Sequence, residues 1–268
     1  MNHGQLQINE LTAILTEHFQ WNKARIACFV GMLIALMVVG TINLTQLALV
    51  FPSRALISPR YRRLQRFFSD HRLDYNEVAH FIMKLFGFTE TDFYLSLDRT
   101  HWKWGKTNIN FLVLAVVYRG AAIPVYWLPL NKQGNSNTRE RIALMKRFIG
   151  QFGAHRIKGL LGDREFIGDD WMGWLLTQGI PFYIRIRNNT VSINSQGKTV
   201  PVDRLFYALK PGEVRRYSKA KCLGTCSVYL SGLRLSDGEL LIIASHHLNP
   251  DAIKIYGFRW VVKPCLAV

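Results

Sequence analysis

The stretch Phe93-Tyr-Leu-Ser-Leu-Asp-Arg-Thr100 decides how we expect this chain to fold. Its first residues are apolar and strand-forming, which predicts a short buried strand. Asp98 follows where that strand should end, and a carboxylate in such a place is costly unless it is paired or holds a metal. The pattern recurs in Ile157-Lys-Gly-Leu-Leu-Gly-Asp-Arg-Glu165, where Asp163 follows a second apolar run. If the two strands are neighbours in one sheet, the aspartates converge, and their hard oxygen atoms suit Mg²⁺.

The segments around the two aspartates predict a mixed α/β sheet, because short apolar runs alternate with amphipathic ones. In chain order, strands are predicted at 93–98, 111–118, 122–128, 158–163 and 181–186, and helices at 138–152 and 170–178. The turn at Arg119-Gly120 is short, so the second and third strands should be antiparallel, whereas a helical crossover makes the fourth strand parallel to the first. This order is that of the ribonuclease H-like fold, in which metal-bound carboxylates cleave or join phosphodiesters.

The first 88 residues predict an all-α domain instead. Apolar residues recur with helical spacing over 6–20, and the run at 26–42, IACFVGMLIALMVVGTI, contains no charge. That run is close to the lower limit of length for a helix that spans a membrane. We favour a buried helix, because the rest of the chain has the pattern of a soluble α/β protein. The alternative is a small membrane-associated protein that this run anchors.

A basic segment follows at 53–68, and the chain as a whole is strongly basic. The formal net charge is +16 and the isoelectric point is near 10, which favours nucleic acid as a partner over an anionic membrane. A helix here would dock Tyr61, Leu64 and Phe68 on a core and present cations to DNA phosphates. The DNA-binding residues predicted on this basis are Arg54, Arg60, Arg62, Arg63 and Arg66. The plainer alternatives are a solvated charged face and a merely basic soluble protein.

Cysteines are few, and the chain opens on a polar stretch, so a reducing cytoplasm is favoured. Cys222 and Cys226 form a conceivable zinc set with His246 and His247, but their spacing matches no zinc module closely. We therefore favour the alternative of two thiols on the strands of a hairpin.

Two motifs carry a resemblance to a known family. LSLDRTHWKWGKTNINFLVLAVVYRG (95–120) and GLLGDREFIG (159–168) resemble the DDE transposases of bacterial insertion sequences, specifically the IS-four family. The resemblance covers nearly the whole chain, from NLTQLAL to YGFRW. It implies that Asp98 and Asp163 are catalytic carboxylates that hold metal, two Mg²⁺ ions in the intact family with Mn²⁺ as the other candidate. It also implies DNA strand cleavage and strand transfer at transposon ends.

The residue patterns and this resemblance together divide the chain and name its partners. The expected parts are a helical N-terminal DNA-binding domain at 1–88, a ribonuclease H-like core at 89–187, a β-rich insertion at 188–245 and the start of a final core helix at 246–268. The further DNA-binding residues are Arg164, Tyr256 and Arg259, the last two near the transposon end. The implied partners are double-stranded DNA, as inverted-repeat ends and as target, and a second copy of the full-length form. The implied location is the bacterial cytoplasm, where the protein would associate with the nucleoid and not with a membrane.

The resemblance breaks down at the third catalytic acid. Glu165 matches the family's Asp-Arg-Glu triplet, but the third acid is the Glu of a Tyr-Arg-Glu-Lys signature, which Tyr256 and Arg259 begin here. The position of that Glu holds Lys263, and the chain stops at Val268. We therefore expect a truncated copy with impaired catalysis. The alternatives are a non-catalytic fragment that occupies transposon ends or inhibits a full-length partner, and a general ribonuclease H-like nuclease, against which the β-rich tract argues.

Overall fold

Residues 3–193 and 197–266 are described in the computed structural model, and their contacts divide the chain into two units, Met1–Phe81 and Ile82–Val268. The division lies inside helix α5 (Tyr75–Leu85), whereas the sequence placed the boundary near residue 88. The finer limits at 187 and 245 stay predictions.

The first unit is built from helices, as the spacing of its apolar residues predicts. In chain order they are α1 (His3–His18), α2 (Lys23–Val39), α3 (Leu44–Val50), α4 (Ile57–Asp70) and the start of α5. Asn22 caps α2 by accepting a hydrogen bond from the Arg25 amide, and Gly40 ends it in the left-handed conformation. Asn43 then caps α3, so the uncharged run at 26–42 lies in α2 up to Val39 and ends in the connection before α3.

Helix α2 packs into two core clusters of this unit, one with Cys28, Met32 and Ala35 and the other with Ile26 and Val30. Its buried residues are Ile26, Cys28, Val30, Gly31, Met32 and Ala35. Within the described ranges, no single helix has the length and apolar composition of a membrane span. By length and composition alone, α2 and α3 meet that test as a pair with a 98° bend between them.

Helix α4 buries Leu64 and Phe67, whereas Phe68 is 55% exposed. The prediction that Phe68 docks on the core was wrong. Phe67 and Phe68 lie three and four positions after Leu64, so both lie next to the face of the helix that carries Leu64. The packing of neighbouring helices decides which of the two is buried. Phe67 is selected because its ring stacks on Phe29 of α2, with 5.9 Å between the ring centroids.

The second unit is organised around a mixed sheet of eleven strands within the described residues, which confirms the predicted mixed α/β class. The strands are β1 (Phe93–Trp104), β2 (Thr107–Tyr118), β3 (Ala121–Pro129), β4 (Ile157–Gly162), β5 (Phe182–Ile186), β6 (Val191–Ile193), β7 (Thr199–Pro201), β8 (Val214–Arg216), β9 (Lys221–Leu223), β10 (Cys226–Arg234) and β11 (Leu240–Ser245). Their order is β3-β2-β1-β4-β5-β11-β10-β9-β6-β7, and β8 pairs with β10. Strand β4 is parallel to β1 and to β5, and the other pairs are antiparallel.

Strand β1 is longer than the sequence predicted. It continues beyond Asp98 to Trp104, because β2 pairs with it along that whole length. Parallel pairing with β4 stops earlier, at Leu97 and Gly162. Asp98 therefore lies inside its strand, at the point where β1 loses its parallel neighbour.

Within the described part of this unit, three α-helices accompany the sheet: α6 (Thr138–Phe152), α7 (Asp169–Thr177) and α8 (Ala252–Leu266). The ring of Phe93 lies 6.0 Å from that of Phe148 on α6, whereas the ring of Tyr94 lies 5.8 Å from that of Phe258 on α8. Successive residues of a strand point to opposite faces of the sheet. Helices α6 and α8 therefore cover opposite faces.

The tract predicted as a β-rich insertion, 188–245, contains strands β6 to β11. It is not separate from the main sheet, because β11 pairs with β5 and β10 pairs with β11. This pairing satisfies the backbone groups that β5 would otherwise leave open at an edge. Strands β9 and β10 form the hairpin that we predicted for Cys222 and Cys226.

Candidate active site

Asp98 and Asp163 lie at the place where β1 and β4 part. Leu97 and Gly162 are the last paired residues of the two strands, and each aspartate is the next residue along its chain segment. Each carboxylate accepts a hydrogen bond through Oδ1 from the backbone amide that follows it, at 2.8 Å for Asp98 and 2.7 Å for Asp163. The register of the sheet thus brings the two predicted catalytic residues together.

One guanidinium joins the two carboxylates. Arg259 on α8 donates through Nη2 to Asp98 Oδ1 at 3.0 Å and through Nη1 to Asp163 Oδ2 at 3.4 Å. The side chain of Arg259 is 2% exposed, against 21% for Asp98 and 28% for Asp163. The planar fork of a guanidinium suits two acceptors held in this way. A strand, a loop and a helix that are distant in sequence therefore meet in one ion-pair cluster.

Arg99 ties β1 to the loop that carries Asp163. Its Nε donates to Glu165 Oε2 at 3.2 Å, and its two terminal nitrogens donate to Asn110 and Asn135 at 3.3 and 3.4 Å. Glu165 is therefore a structural partner of Arg99 in this arrangement. Sequence reasoning missed this pair, although an arginine after each aspartate was a visible signal.

Arg141 on α6 also holds the loop that carries Asp163, through hydrogen bonds to backbone carbonyls. It is 5% exposed, and its Nη2 donates to the carbonyl oxygens of Ser136 and Glu165 at 2.6 and 2.8 Å. Burial lowers the pKa of Arg141, while the charges of Glu165 and Glu140 act in the opposite direction. A guanidinium stays charged in spite of such a shift. No sequence pattern indicated this role, because Arg141 is an ordinary polar position of an amphipathic helix.

Residues 90–247 match the model of the transposase DDE domain family, a range that contains both aspartates and more than half of the chain. The chain belongs to the transposase DDE domain family. Among solved structures, this transposase-family chain is similar to the piggyBac transposase, which was determined by cryo-electron microscopy in a synaptic complex with hairpin DNA. The two chains share 12% sequence identity, and the TM-score of the superposition is 0.48. That match covers 96% of this chain and 64% of the other, so the chain spans less than two thirds of the length of that transposase. No curated protein matches the chain.

The family generally depends on divalent metal ions, and the two carboxylates of this transposase-family chain have suitable chemistry. Asp98 and Asp163 supply hard oxygen atoms that already reach one common cation, and both are partly open to solvent. Among the described residues, no group of three or more His, Cys, Asp or Glu side chains is placed to hold a metal. The predicted position of a third ligand holds Lys263, whose side chain lies outside the described residues. The described residues therefore supply two carboxylate ligands that are suitable for a metal site.

Tyr256 and Arg259 are both in the interior of the second unit. Burial raises the pKa of Tyr256 to about 12, and the charge of Asp163 adds to this, while Arg259 and Arg185 act in the opposite direction. The phenol of Tyr256 therefore stays protonated at neutral pH. The predicted contacts of Tyr256 and Arg259 with DNA phosphates stay predictions, and they require both side chains to leave their present positions.

The five predicted DNA-binding arginines of the first unit differ in their surroundings. Arg54, Arg62 and Arg66 are exposed. Arg60 instead donates to four backbone carbonyls between residues 48 and 55, and Arg63 donates to the Ala24 carbonyl of α2 at 3.2 Å. The first three are free to meet a phosphate, whereas Arg60 holds the segment between α3 and α4 in place.

Arg164, the remaining predicted DNA-binding residue, is exposed beside Asp163. With Arg185 and Arg187 it lines a pocket of about 510 Å³ at the end of β5. Arg185 also forms an ion pair with Glu239. Sequence reasoning missed Arg185 and Arg187, for which alternating arginines at the end of a strand were the available signal.

The described residues do not form the alternative zinc set. Cys222 is exposed, whereas Cys226 is buried with its Sγ 3.4 Å from the Asp169 carbonyl oxygen. His246 and His247 stack on each other with ring centroids 3.9 Å apart. None of the four belongs to a cluster of three or more metal-binding side chains within the described ranges.

Proposed function

We propose that this chain is a metal-dependent DNA transposase whose reaction centre is built on Asp98 and Asp163. The observation that supports this most directly is the convergence of the two carboxylates on the Arg259 guanidinium. Two carboxylates from neighbouring strands, partly open to solvent and already balanced by a cation, are suited to bind Mg²⁺ or Mn²⁺. The substrate in this proposal is double-stranded DNA, as transposon ends and as target.

In this proposal, divalent ions at the two aspartates would lower the pKa of an attacking water or 3′-hydroxyl and stabilise the leaving oxygen of the phosphodiester. The protein's own residues hold the carboxylates in place. The amides after Asp98 and Asp163 each donate to Oδ1, and the Arg99–Glu165 pair fixes the loop between the strands and α7. Preorganised ligands of this kind spare the reaction the cost of rearrangement.

The finer assignments are part of the same proposal. The strand order β3-β2-β1-β4-β5 supports a ribonuclease H-like core. The exposed Arg54, Arg62 and Arg66 on a helical unit support a DNA-binding role for the N-terminal region. Membership of the IS-four family, a bacterial cytoplasmic location and a dimeric full-length form rest on the sequence resemblance alone.

We also propose that this copy is impaired in catalysis. Position 263 lies one helical turn beyond Arg259 in α8 and holds lysine where the resemblance calls for the third acid. Relative to that acid, a lysine at this position would remove an anionic ligand and supply a cation in its place, which would weaken metal binding. Lys263 also favours the second candidate function, a non-catalytic DNA-binding protein that occupies transposon ends.

A plasmid excision assay with Mg²⁺ or Mn²⁺ tests both candidates. The plasmid carries the natural DNA that flanks the coding sequence, so that the transposon ends are present. We expect little excision by the natural chain and at least about tenfold more by Lys263→Glu, because a third carboxylate completes the site. Adding Asp98→Asn to that variant should abolish the gain.

Efficient excision by the natural chain would contradict the proposed impairment. No cleavage by Lys263→Glu, in protein that still binds the same DNA in a gel-shift assay, would favour the non-catalytic candidate. Equal activity with and without Asp98→Asn would remove the two aspartates from the proposed reaction centre.

A further inference from the structure

Arg259 occupies one oxygen of each carboxylate that a metal would bind. It donates to Asp98 Oδ1 and to Asp163 Oδ2, while the backbone amides of Arg99 and Arg164 already donate to Oδ1 of Asp98 and Oδ1 of Asp163. We propose that Arg259 and a divalent cation compete for Asp98 and Asp163, so that this arginine sets the metal affinity of the pair. The inference rests on the proposed metal site and adds to it the group that opposes metal binding.

The geometry leaves little room for both cations. The guanidinium lies between the carboxylates, with contacts of 3.0 and 3.4 Å, and the side chain is 2% exposed. A divalent ion held by both Asp98 and Asp163 would lie close to that guanidinium. Arginine does not lose its proton in proteins, so Arg259 cannot make room by becoming neutral. It must move, or the ion must bind against its charge.

The charged partners that hold the buried guanidinium of Arg259 are the carboxylates of Asp98 and Asp163. When a divalent ion neutralises the two aspartates, the guanidinium loses the reason to stay buried, since an unpaired buried charge is unfavourable. Charged donors of this type pair well with phosphate, so DNA offers Arg259 a replacement partner in a DNA-processing enzyme.

The size of the competition follows from Coulomb's law. In a water-like medium, the repulsion between a single and a double charge about 4 Å apart corresponds to roughly thirtyfold in binding affinity. Solvent and ions screen part of this, because both aspartates are partly exposed. We therefore expect removal of the Arg259 charge to tighten metal binding by at least about tenfold.

Mn²⁺ binding, measured by the loss of the free-ion electron paramagnetic resonance signal, tests the inference without an activity assay. The proteins are the natural chain, Arg259→Gln, the charge-conserving Arg259→Lys, and Arg259→Gln combined with Asp98→Asn. Arg259→Gln should bind Mn²⁺ at least about tenfold more tightly than the natural chain, and Arg259→Lys should stay within about threefold of it. The double variant should lose the tight site.

The outcomes separate this inference from the proposed function. Tight Mn²⁺ binding that survives Asp98→Asn would overturn the proposed metal site itself. Binding that depends on Asp98 but is equal in the natural chain and in Arg259→Gln would overturn only the competition. Arg259→Gln and Arg259→Lys that bind equally tightly would also overturn it, because charge would not be the cause.

A second measurement uses the natural chain, in case Arg259→Gln does not fold. The Nε–H proton of Arg259 gives a nuclear magnetic resonance signal that is identified by its absence in Arg259→Lys. In metal-free protein this buried proton should exchange slowly with water, and saturating Mg²⁺ should make it exchange at least about tenfold faster. A signal that keeps its position and its slow exchange at saturation, while Mg²⁺ binding depends on Asp98, would overturn the inference.

Discussion

Replacing Asp98 and Asp163 by asparagine tests whether the buried charge of Arg259 depends on them. Each asparagine keeps an oxygen acceptor of similar shape and removes one negative charge. Charge-assisted hydrogen bonds are roughly twice as strong as neutral ones, so each single change should lower the free energy of unfolding by about 1 kcal/mol. Asp98→Asn should cost slightly more than Asp163→Asn, because its contact with Arg259 is shorter, 3.0 Å against 3.4 Å.

The double variant should cost more than the sum of the two single changes. With both charges gone, the guanidinium of Arg259, 2% exposed, keeps no ion-pair partner among the residues that the structure describes. An uncompensated buried charge costs about 3–5 kcal/mol, which exceeds the roughly 2 kcal/mol expected from addition. The excess measures how far the two aspartates act together in holding Arg259.

Urea denaturation in EDTA at pH 7 provides the measurement. Six of the seven tryptophans belong to the second unit, so tryptophan fluorescence mainly follows its unfolding. The matched control is Asp92→Asn, because Asp92 pairs with Arg156 at 3.9 Å and is 60% exposed. Its effect should stay below about 0.5 kcal/mol. An increase in stability on replacing Asp98 or Asp163 would mean that repulsion between the carboxylates outweighs their pairing with Arg259, and would refute the reasoning.

Three further predictions concern other parts of the molecule. Arg141→Met should lower the free energy of unfolding by about 3 kcal/mol in the same urea assay, because it removes the hydrogen bonds of a buried guanidinium to the carbonyls of Ser136 and Glu165, whereas Met at the exposed Arg139 of the same helix should change it by less than about 0.5 kcal/mol. The raised pKa of Tyr256 means that its contribution to stability is complete below pH 10 and falls between pH 10 and about 12, as the unfolded state loses its proton first. Tyr256→Phe should therefore reduce the stability lost between pH 9 and pH 11.5 by about 2 kcal/mol, and an unchanged loss would contradict the assigned pKa. In gel-shift titrations, Arg62→Ala should weaken DNA binding and reduce by about one the slope of the logarithm of affinity against the logarithm of salt concentration. Arg60→Ala should mainly lower the melting temperature, since Arg60 donates hydrogen bonds to backbone carbonyls. Equal effects of the two variants on DNA binding would contradict the different surroundings of the two arginines.

Local features of this chain were within reach of the sequence. Helix α6 has the predicted bounds, 138–152, because a capping asparagine and an amphipathic repeat are both local signals. The turn at Arg119 and Gly120 also follows from the sequence, since Gly120 readily takes the positive φ that a short connection between antiparallel strands requires. The two aspartate motifs likewise indicated which strands to place side by side.

The tertiary structure alone decided what the two aspartates touch. Asp98 and Arg259 are 161 positions apart, and no periodicity or motif spacing reports a contact at such a separation. The length of β1, the pairing of β11 with β5 and the choice of Phe67 over Phe68 are of the same kind. Each depends on which surfaces of distant elements become buried against one another. Burial also explains the position of the Arg259 side chain. A cation withdrawn from water needs nearby negative charge, and in the described structure Asp98 and Asp163 supply it.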